Sequence, residues 1–252
     1  KLTNIQKENR DSIVSKTNSG VYRLTPLPCL CKEIKNDIVI ANRDRYGIPI
    51  QIVLCMSCGL MRSDPYYDDA TLASFYAKEY RPLYVDRNKS TVDFFPEQIT
   101  FGRHIKNFLE KEVLKKEIQN KLIFEIGCGA GGILQAFNKN DNKIAGCDYG
   151  EEYVEFGKQK KLRLFPGGAE TLKSIGKADI IILNHTLEHM RNPQKELSTI
   201  RELLAPEGIL YIALPGIFFI HDTYKGNLSE YLQNAHSWYF TKKTLGRLLS
   251  DS

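Results

Sequence analysis

Three sets of residues in this sequence have the types and spacing to do chemistry. The pairs Cys29-x-Cys31 and Cys55-x-x-Cys58, the second followed by Gly59, offer four thiolates. Four thiolates complete a closed tetrahedral zinc site, and such a site keeps no open position, so the zinc it implies is structural. The second set is Leu122-Ile-Phe-Glu-Ile-Gly-Cys-Gly-Ala-Gly131, an apolar run ending in Gly127, Gly129 and Gly131. Glycines there let the backbone turn sharply and let a ligand touch it with no Cβ between. Glu125 stands two residues before the first glycine, where a carboxylate repels a pyrophosphate and attracts an ammonium group. Asp148 ends Ile144-Ala-Gly-Cys-Asp148 and can accept both hydroxyls of a ribose; its other reading is an N-cap for a helix over 151–160. The third set is His185, Glu188 and His189, which share one face if a helical turn starts there. Bracing of a loop, general-base work by an imidazole and capture of a divalent cation all remain open for this trio.

The elements that must position these residues are visible as patterns. Residues 1–20 are polar, lack periodicity and hold no aromatic, which predicts a loose leader. A compact zinc-binding module is expected over 21–63, with a β-branched strand at Ile48-Pro-Ile-Gln-Ile-Val-Leu54, and a tyrosine-rich helical linker over 64–98. Apolar residues at Ile99, Ile105, Phe108, Leu109, Val113 and Leu114 predict an amphipathic helix over 99–118. Beyond it, short apolar runs at 122–126, 144–147, 162–165, 180–183 and 209–214 alternate with helical windows. Buried strands separated by helices predict an α/β domain over 99–252, a doubly wound, mostly parallel sheet covered on both faces.

The ordered blocks of this domain resemble the class I S-adenosylmethionine-dependent methyltransferases, a Rossmann-like family, from about residue 99 to 249. The stretch Glu125-Ile-Gly-Cys-Gly-Ala-Gly131 matches that family's first motif and Asp148 its ribose acid. Gly168-Ala-Glu170 falls where the family frames adenine, Asn184-His-Thr-Leu-Glu-His-Met190 follows the fourth strand, and Leu204-Ala-Pro-Glu-Gly208 precedes the fifth. The resemblance implies S-adenosylmethionine as cofactor, with contacts from Glu125, Gly127, Cys128, Gly129, Gly131, Asp148, Tyr149, Ala169, Glu170, Asn184 and His185. The side chains of Cys128 and Cys147 read as packing. Catalysis is expected from His185, Glu188, His189 and His236, the last falling where such families place another functional histidine. Some relatives carry a Glu-x-x-Glu-His metal motif; here His185 replaces its first glutamate, and three imidazoles with one carboxylate suit magnesium poorly. The base reading is therefore preferred, with a divalent cation kept as the alternative.

The cysteine module with Arg43-Asp-Arg-Tyr-Gly47, Cys58-Gly-Leu60, Phe75-Tyr76 and Tyr80-Arg81 is similar to bacterial methyltransferases of capsule, lipopolysaccharide and deoxysugar synthesis. That likeness implies methyl transfer to an oxygen of a sugar or sugar-linked group, with the aromatic stretch 218–239 (His221, Tyr224, Tyr231, His236, Trp238) as acceptor wall. The alternatives are an RNA-modifying methyltransferase whose zinc module holds RNA, an N- or C-methyltransferase on a small molecule, and a non-catalytic partner, which the intact Glu125, glycines and Asp148 disfavour. A net charge of +5 without a basic cluster beside the cysteines speaks against nucleic acid as a partner. The partners expected are a small-molecule or glycan acceptor and, as an option, a second copy in a homodimer. The most apolar stretch, 208–220, is interrupted by Pro215 and Gly216, so no membrane span is expected. Absence of a secretory pattern and cysteine usage without a disulfide framework predict the cytoplasm. The family adds two strands after a helix at 241–249; this sequence ends at Ser252, so the final strands of the sheet are expected to be missing.

Overall fold

The computed structural model describes residues 2–33, 36–84 and 91–251. It divides into two compact units: one comprises Lys1–Arg87, Glu188–Gln194 and Leu214–Ser252, the other Asn88–Leu187 and Lys195–Ala213. The division does not follow the sequential boundary expected at residue 99, because two later segments pack with the N-terminal region.

That first unit begins with an α-helix at Asn4–Asn18, where a loose leader was expected. Thr3 and Gln6 close a reciprocal capping box, which satisfies two of the free N–H groups at the helix start. Ile13 is fully buried, Gln6 donates to the Leu83 carbonyl at 3.0 Å, and Lys16 pairs with the buried Glu79. One apolar anchor and a cap hold this helix, too few to register as periodicity. Five strands follow: β1 (Leu24–Thr25), β2 (Asp37–Arg43), β3 (Pro49–Cys55), β4 (Met61–Ser63) and β5 (Tyr66–Tyr67). β1 pairs with β5, and β2, β3 and β4 form an antiparallel meander. The expected linker carries β5 and helices at Asp69–Lys78 and Tyr80–Tyr84; residues 85–90 of it lie outside the described residues.

The second unit is the expected α/β layer. β6 (Leu122–Ile126), β7 (Lys143–Asp148), β8 (Leu164–Pro166), β9 (Ala178–Asn184) and β10 (Leu204–Ala213) form a wholly parallel sheet in the order β10-β9-β6-β7-β8. The reversal of strand order lies between β6 and β9, where ligands bind at the carboxyl ends of α/β sheets. Ile123, Phe124, Ala145, Cys147, Ile181, Ile182 and Leu183 are completely buried, as expected for strands covered on both faces. The flanking helix starts at Thr91, inside the expected linker, and runs to Phe108 before a π-helical stretch at Leu109–Leu114. Leu204 to Gly208 is part of β10, interrupted by a bulge, and not a separate approach to it. Among the described residues, β10 is the edge of this parallel sheet and no later strand joins it.

The remaining segments explain the division into units. β11 (Trp238–Tyr239) adds to β4 in the antiparallel sheet, 175 or more residues from its partner in sequence. The Arg191 guanidinium donates to Thr25 Oγ1 at 2.7 Å and to the Tyr67 carbonyl, and Trp238 donates to the Met190 carbonyl at 2.8 Å. No helix among the described residues is long and apolar enough to cross a membrane.

Candidate active site and cysteine cluster

In the second unit the glycine loop leaves β6 as a run of left-handed turns. Gly127, Gly129 and Gly131 have φ of 74°, 52° and 76°, a region that side chains other than glycine enter at a cost of roughly 1–2 kcal/mol. A Cβ on Gly127 would also lie 2.5 Å from Thr186 Oγ1. Thr186, absent from the expected set, covers this turn while its hydroxyl donates to the carbonyls of Ile126 and Asn184, both at 3.2 Å. No spacing rule joins Thr186 to Gly127, since they meet only once β9 lies beside β6. The short helix Gly132–Gln135 starts directly after the loop.

Two carboxylates flank this loop in different states. Asp148 Oδ2 accepts from the Gly129 amide at 2.8 Å and Oδ1 from the Gly150 amide at 2.7 Å. It therefore ties the loop to the end of β7; the N-cap of the Glu151–Gln159 helix is Gly150, not Asp148. Glu125 is 1% exposed and its Oε2 has no hydrogen-bond partner. Burial, and then the charge of Asp148, push its carboxyl well above the ordinary glutamate range. A buried carboxylate oxygen with no donor is costly, and a cationic ligand group is what would satisfy it. Tyr149 is exposed, and its hydroxyl stands with the Glu170 carboxylate over Gly168, each 2.7 Å from where a Cβ would be. Ala169 is fully buried behind them. The Cys128 thiol packs against Gly146, so only the backbone of Cys128 belongs to the loop surface.

The expected helical face of His185, Glu188 and His189 does not form. His185 ends up in a left-handed conformation (φ 52°), its amide bonded to the Ala213 carbonyl, and the only helical turn is a 3-10 stretch at Leu187–His189. His185 and Asn184 thus stay at the end of β9 in the second unit, whereas Glu188, His189 and His236 gather in the first. Their ligand-capable atoms all lie within 4.8 Å of one another. Glu188 and His236 are 2% and 3% exposed, and the two imidazoles meet edge to face with centroids 4.9 Å apart. His189 Nδ1 lies 2.9 Å from the Ala235 carbonyl and 2.9 Å from Tyr76 Oη. A carbonyl only accepts, so Nδ1 carries a proton, and the neutral ring keeps its lone pair on Nε2. Tyr76, also absent from the expected set, fixes this ring by donating in turn to Ala235 at 3.2 Å.

The expected acceptor wall divides. Tyr231, His236, Trp238 and Tyr239 are buried packing residues, while Phe218, Phe219 and His221 are exposed. Trp238 in particular is 1% exposed and anchors β11, so it presents no face to a ligand.

The four N-terminal cysteines converge. Their Sγ atoms are 3.4 Å (Cys29–Cys31), 3.5 Å (Cys29–Cys58) and 3.6 Å (Cys31–Cys55) apart. Four sulfurs about 2.3 Å from one ion in a tetrahedron stand roughly 3.8 Å apart, whereas a disulfide needs about 2.05 Å. The set therefore has the dimensions of a metal cage. Gly59, at φ 78°, turns the chain so that its amide donates to the Cys55 carbonyl at 2.8 Å. Beside it, the buried Arg62 is held by Asp37, by Asp64 at 2.9 Å and by the Leu27 carbonyl at 2.6 Å.

Residues 101–252 match the family model described as a methyltransferase domain. Among solved structures, the plantazolicin methyltransferase BpumL in complex with SAH is similar at 18% identity, covering 71% of this chain and 72% of that one with a TM-score of 0.54. The same enzyme with a monoazolic desmethylPZN analogue and SAH gives the same values. A SAM-dependent methyltransferase from Archaeoglobus fulgidus matches at 20% identity over 64% of this chain and 73% of that one, with a TM-score of 0.47. No curated protein matches the chain by sequence. At 18% identity and a TM-score of 0.54, the BpumL structures speak for a common fold. The family model spans more than half of the chain, and on that ground the chain belongs to the methyltransferase-domain family and is an S-adenosylmethionine-dependent methyltransferase.

Proposed function

We propose that the protein methylates an oxygen of a sugar or sugar-linked group, using a cofactor held by Glu125, Gly127, Gly129, Gly131 and Asp148. The observation that carries the cofactor assignment is the buried, unpartnered Oε2 of Glu125 beside three left-handed glycines. The donor set fits S-adenosylmethionine: a carboxylate for its ammonium, bare backbone for close approach, and Asp148 for ribose hydroxyls. Tyr149, Ala169 and Glu170 are assigned to the adenine end, and Asn184 and His185 stand at the end of β9 in the same unit. When bound, this cofactor supplies an electrophilic methyl group.

The chain's own residues supply the proton acceptor. Ala235 and Tyr76 hold His189 as the Nδ1–H tautomer, which leaves Nε2 free to take the proton of an acceptor hydroxyl as its oxygen attacks. His236 is packed against it, and a Glu188 carboxylate oxygen lies 3.9 Å from Nε2. In addition, Cys29, Cys31, Cys55 and Cys58 are assigned one structural zinc; their spacing supports this. The sugar acceptor rests on the resemblance carried by the cysteine module and the Arg43 to Gly47 block. The test is transfer of labelled methyl from S-adenosylmethionine to a panel of nucleotide sugars, RNA, a peptide and the monoazolic desmethylPZN analogue with which BpumL was solved. Label in the sugars is expected; label confined to RNA or peptide overturns the acceptor assignment.

A further inference from the structure

We propose that Arg45 is the anion-binding end of an acceptor site, and that the acceptor carries a phosphate or diphosphate group. The identity of this ligand as methyl acceptor rests on the function proposed above; the anion site itself does not. Arg45 lies in the turn between β2 and β3, where its amide donates to the Leu232 carbonyl at 3.0 Å. Its guanidinium lies over a pair of adjoining tyrosines, 4.9 Å from the Tyr46 ring centroid and 5.2 Å from that of Tyr84, the two rings being 5.3 Å apart. These ring contacts restrain the guanidinium and use none of its N–H donors. The Nε atom is buried with no hydrogen-bond partner, and no ion pair of Arg45 is present among the described residues.

The neighbouring acid does not neutralise it. Asp44 is turned inward, accepting from the Tyr46, Ile48 and Asn234 amides at 2.9, 2.9 and 3.2 Å and from the Tyr84 hydroxyl at 3.3 Å. A buried guanidinium donor that meets no acceptor is costly, and a preorganised, weakly hydrated fork is the group that recognises phosphate in a bidentate way. A row of half-buried rings leads from it: Tyr84 lies 5.4 Å from Tyr80, and Tyr80 lies 5.7 Å from His189. The anion grip and the imidazole proposed as base thus stand at two ends of one aromatic strip within one unit. Aromatic faces suit the ring of a sugar, and the strip places a phosphate at the far end from the hydroxyl that reacts.

The experiment uses inorganic pyrophosphate as probe, titrated calorimetrically into the full chain saturated with S-adenosylhomocysteine at fixed ionic strength. Saturable binding is expected, weakened at least tenfold in Arg45→Gln and to a lesser degree in Arg45→Lys, which keeps the charge and loses the fork. Zinc content and melting temperature show whether the variants fold. Should Arg45→Gln fail to fold, modification of the unsubstituted protein by phenylglyoxal replaces it, with pyrophosphate expected to protect Arg45. No saturable binding, equal affinity in Arg45→Gln, or no protection overturns the proposal. Pyrophosphate binding that depends on Arg45 in a protein that binds no S-adenosylhomocysteine would leave the anion site standing and remove the methyl-transfer reading. Methylation of an unphosphorylated sugar at a rate unchanged in Arg45→Gln would do the reverse.

Discussion

Replacing Glu125 by glutamine should affect cofactor binding and pH-dependent stability in opposite directions. The carboxyl is 1% exposed, Oε2 meets no donor, and burial together with the Asp148 charge raises its pKa in the folded chain. In the unfolded chain a glutamate titrates near 4.3. Between that value and the raised folded value, the native state holds a proton that the unfolded state has lost. Stability contributed by Glu125 is thus complete below about pH 4 and declines as pH rises, by up to about 1.4 kcal/mol per unit. The glutamine variant lacks this slope, so its stability relative to the unsubstituted protein should improve as pH rises from about 4 toward the raised folded value. Cofactor affinity should move the other way. An ammonium facing Oε2 makes a charge-assisted bond of about 1.5–3 kcal/mol, so Glu125→Gln should weaken S-adenosylhomocysteine binding by about 10- to 150-fold. In the unsubstituted protein, binding should release a proton and tighten as pH rises through the same window. Urea unfolding at several pH values and calorimetry in buffers of different ionisation enthalpy read both effects. A stability difference that does not vary with pH, or equal affinity in the variant, would refute the assignment of an unpartnered buried carboxylate awaiting a cation.

Asp148→Ala removes the acceptor of the Gly129 and Gly150 amides and should weaken S-adenosylhomocysteine by about 1.5–3 kcal/mol in calorimetry; full affinity would exclude its ribose role. Metal analysis should give about one zinc per chain, lost when Cys55 and Cys58 are both changed to serine; zinc retained by that variant would place the ligands elsewhere. His189→Ala and His236→Ala should each lower turnover by about 10²–10⁴-fold with cofactor affinity unchanged. Near-normal turnover in both would make the cluster structural, and activity that a chelator abolishes and a divalent ion restores would favour a metal over a base.

How far the sequence reveals this molecule depends on the range of the interactions involved. The parallel sheet is legible because each strand is a short apolar run buried on both faces, as at 122–126 and 180–183. The glycine loop is legible because left-handed φ values restrict the residue type locally. The N-terminal helix is not, since a single buried Ile13 and a cap leave no periodic stripe. The shared face expected of His185, Glu188 and His189 fails for a local reason, the left-handed turn at His185, that a histidine does not announce. The aromatic stretch near the C-terminus fails for a long-range one. Trp238 is equally suited to a ligand and to a core, and only its pairing through β11 with β4 decides.

That same pairing changes what a structural zinc does here. Cys55 is the last residue of β3, β3 pairs with β4 through Leu54 and Met61, and Met61 pairs in turn with Tyr239 of β11. His236 precedes β11 by two residues, its carbonyl accepts from Ser63 Oγ of β4 at 2.7 Å, and its ring contacts Tyr239 at 5.6 Å. Cys55 and the strand that follows His236 therefore belong to one hydrogen-bonded sheet. The proposed four-thiolate ion would have no open position for chemistry, yet by fixing the end of β3 it would steady the strands that carry His236 against His189. Under the proposed function, loss of the cysteines should therefore lower turnover through the register of β3, β4 and β11, while loss of Glu125 or Asp148, in the other unit, should lower cofactor affinity.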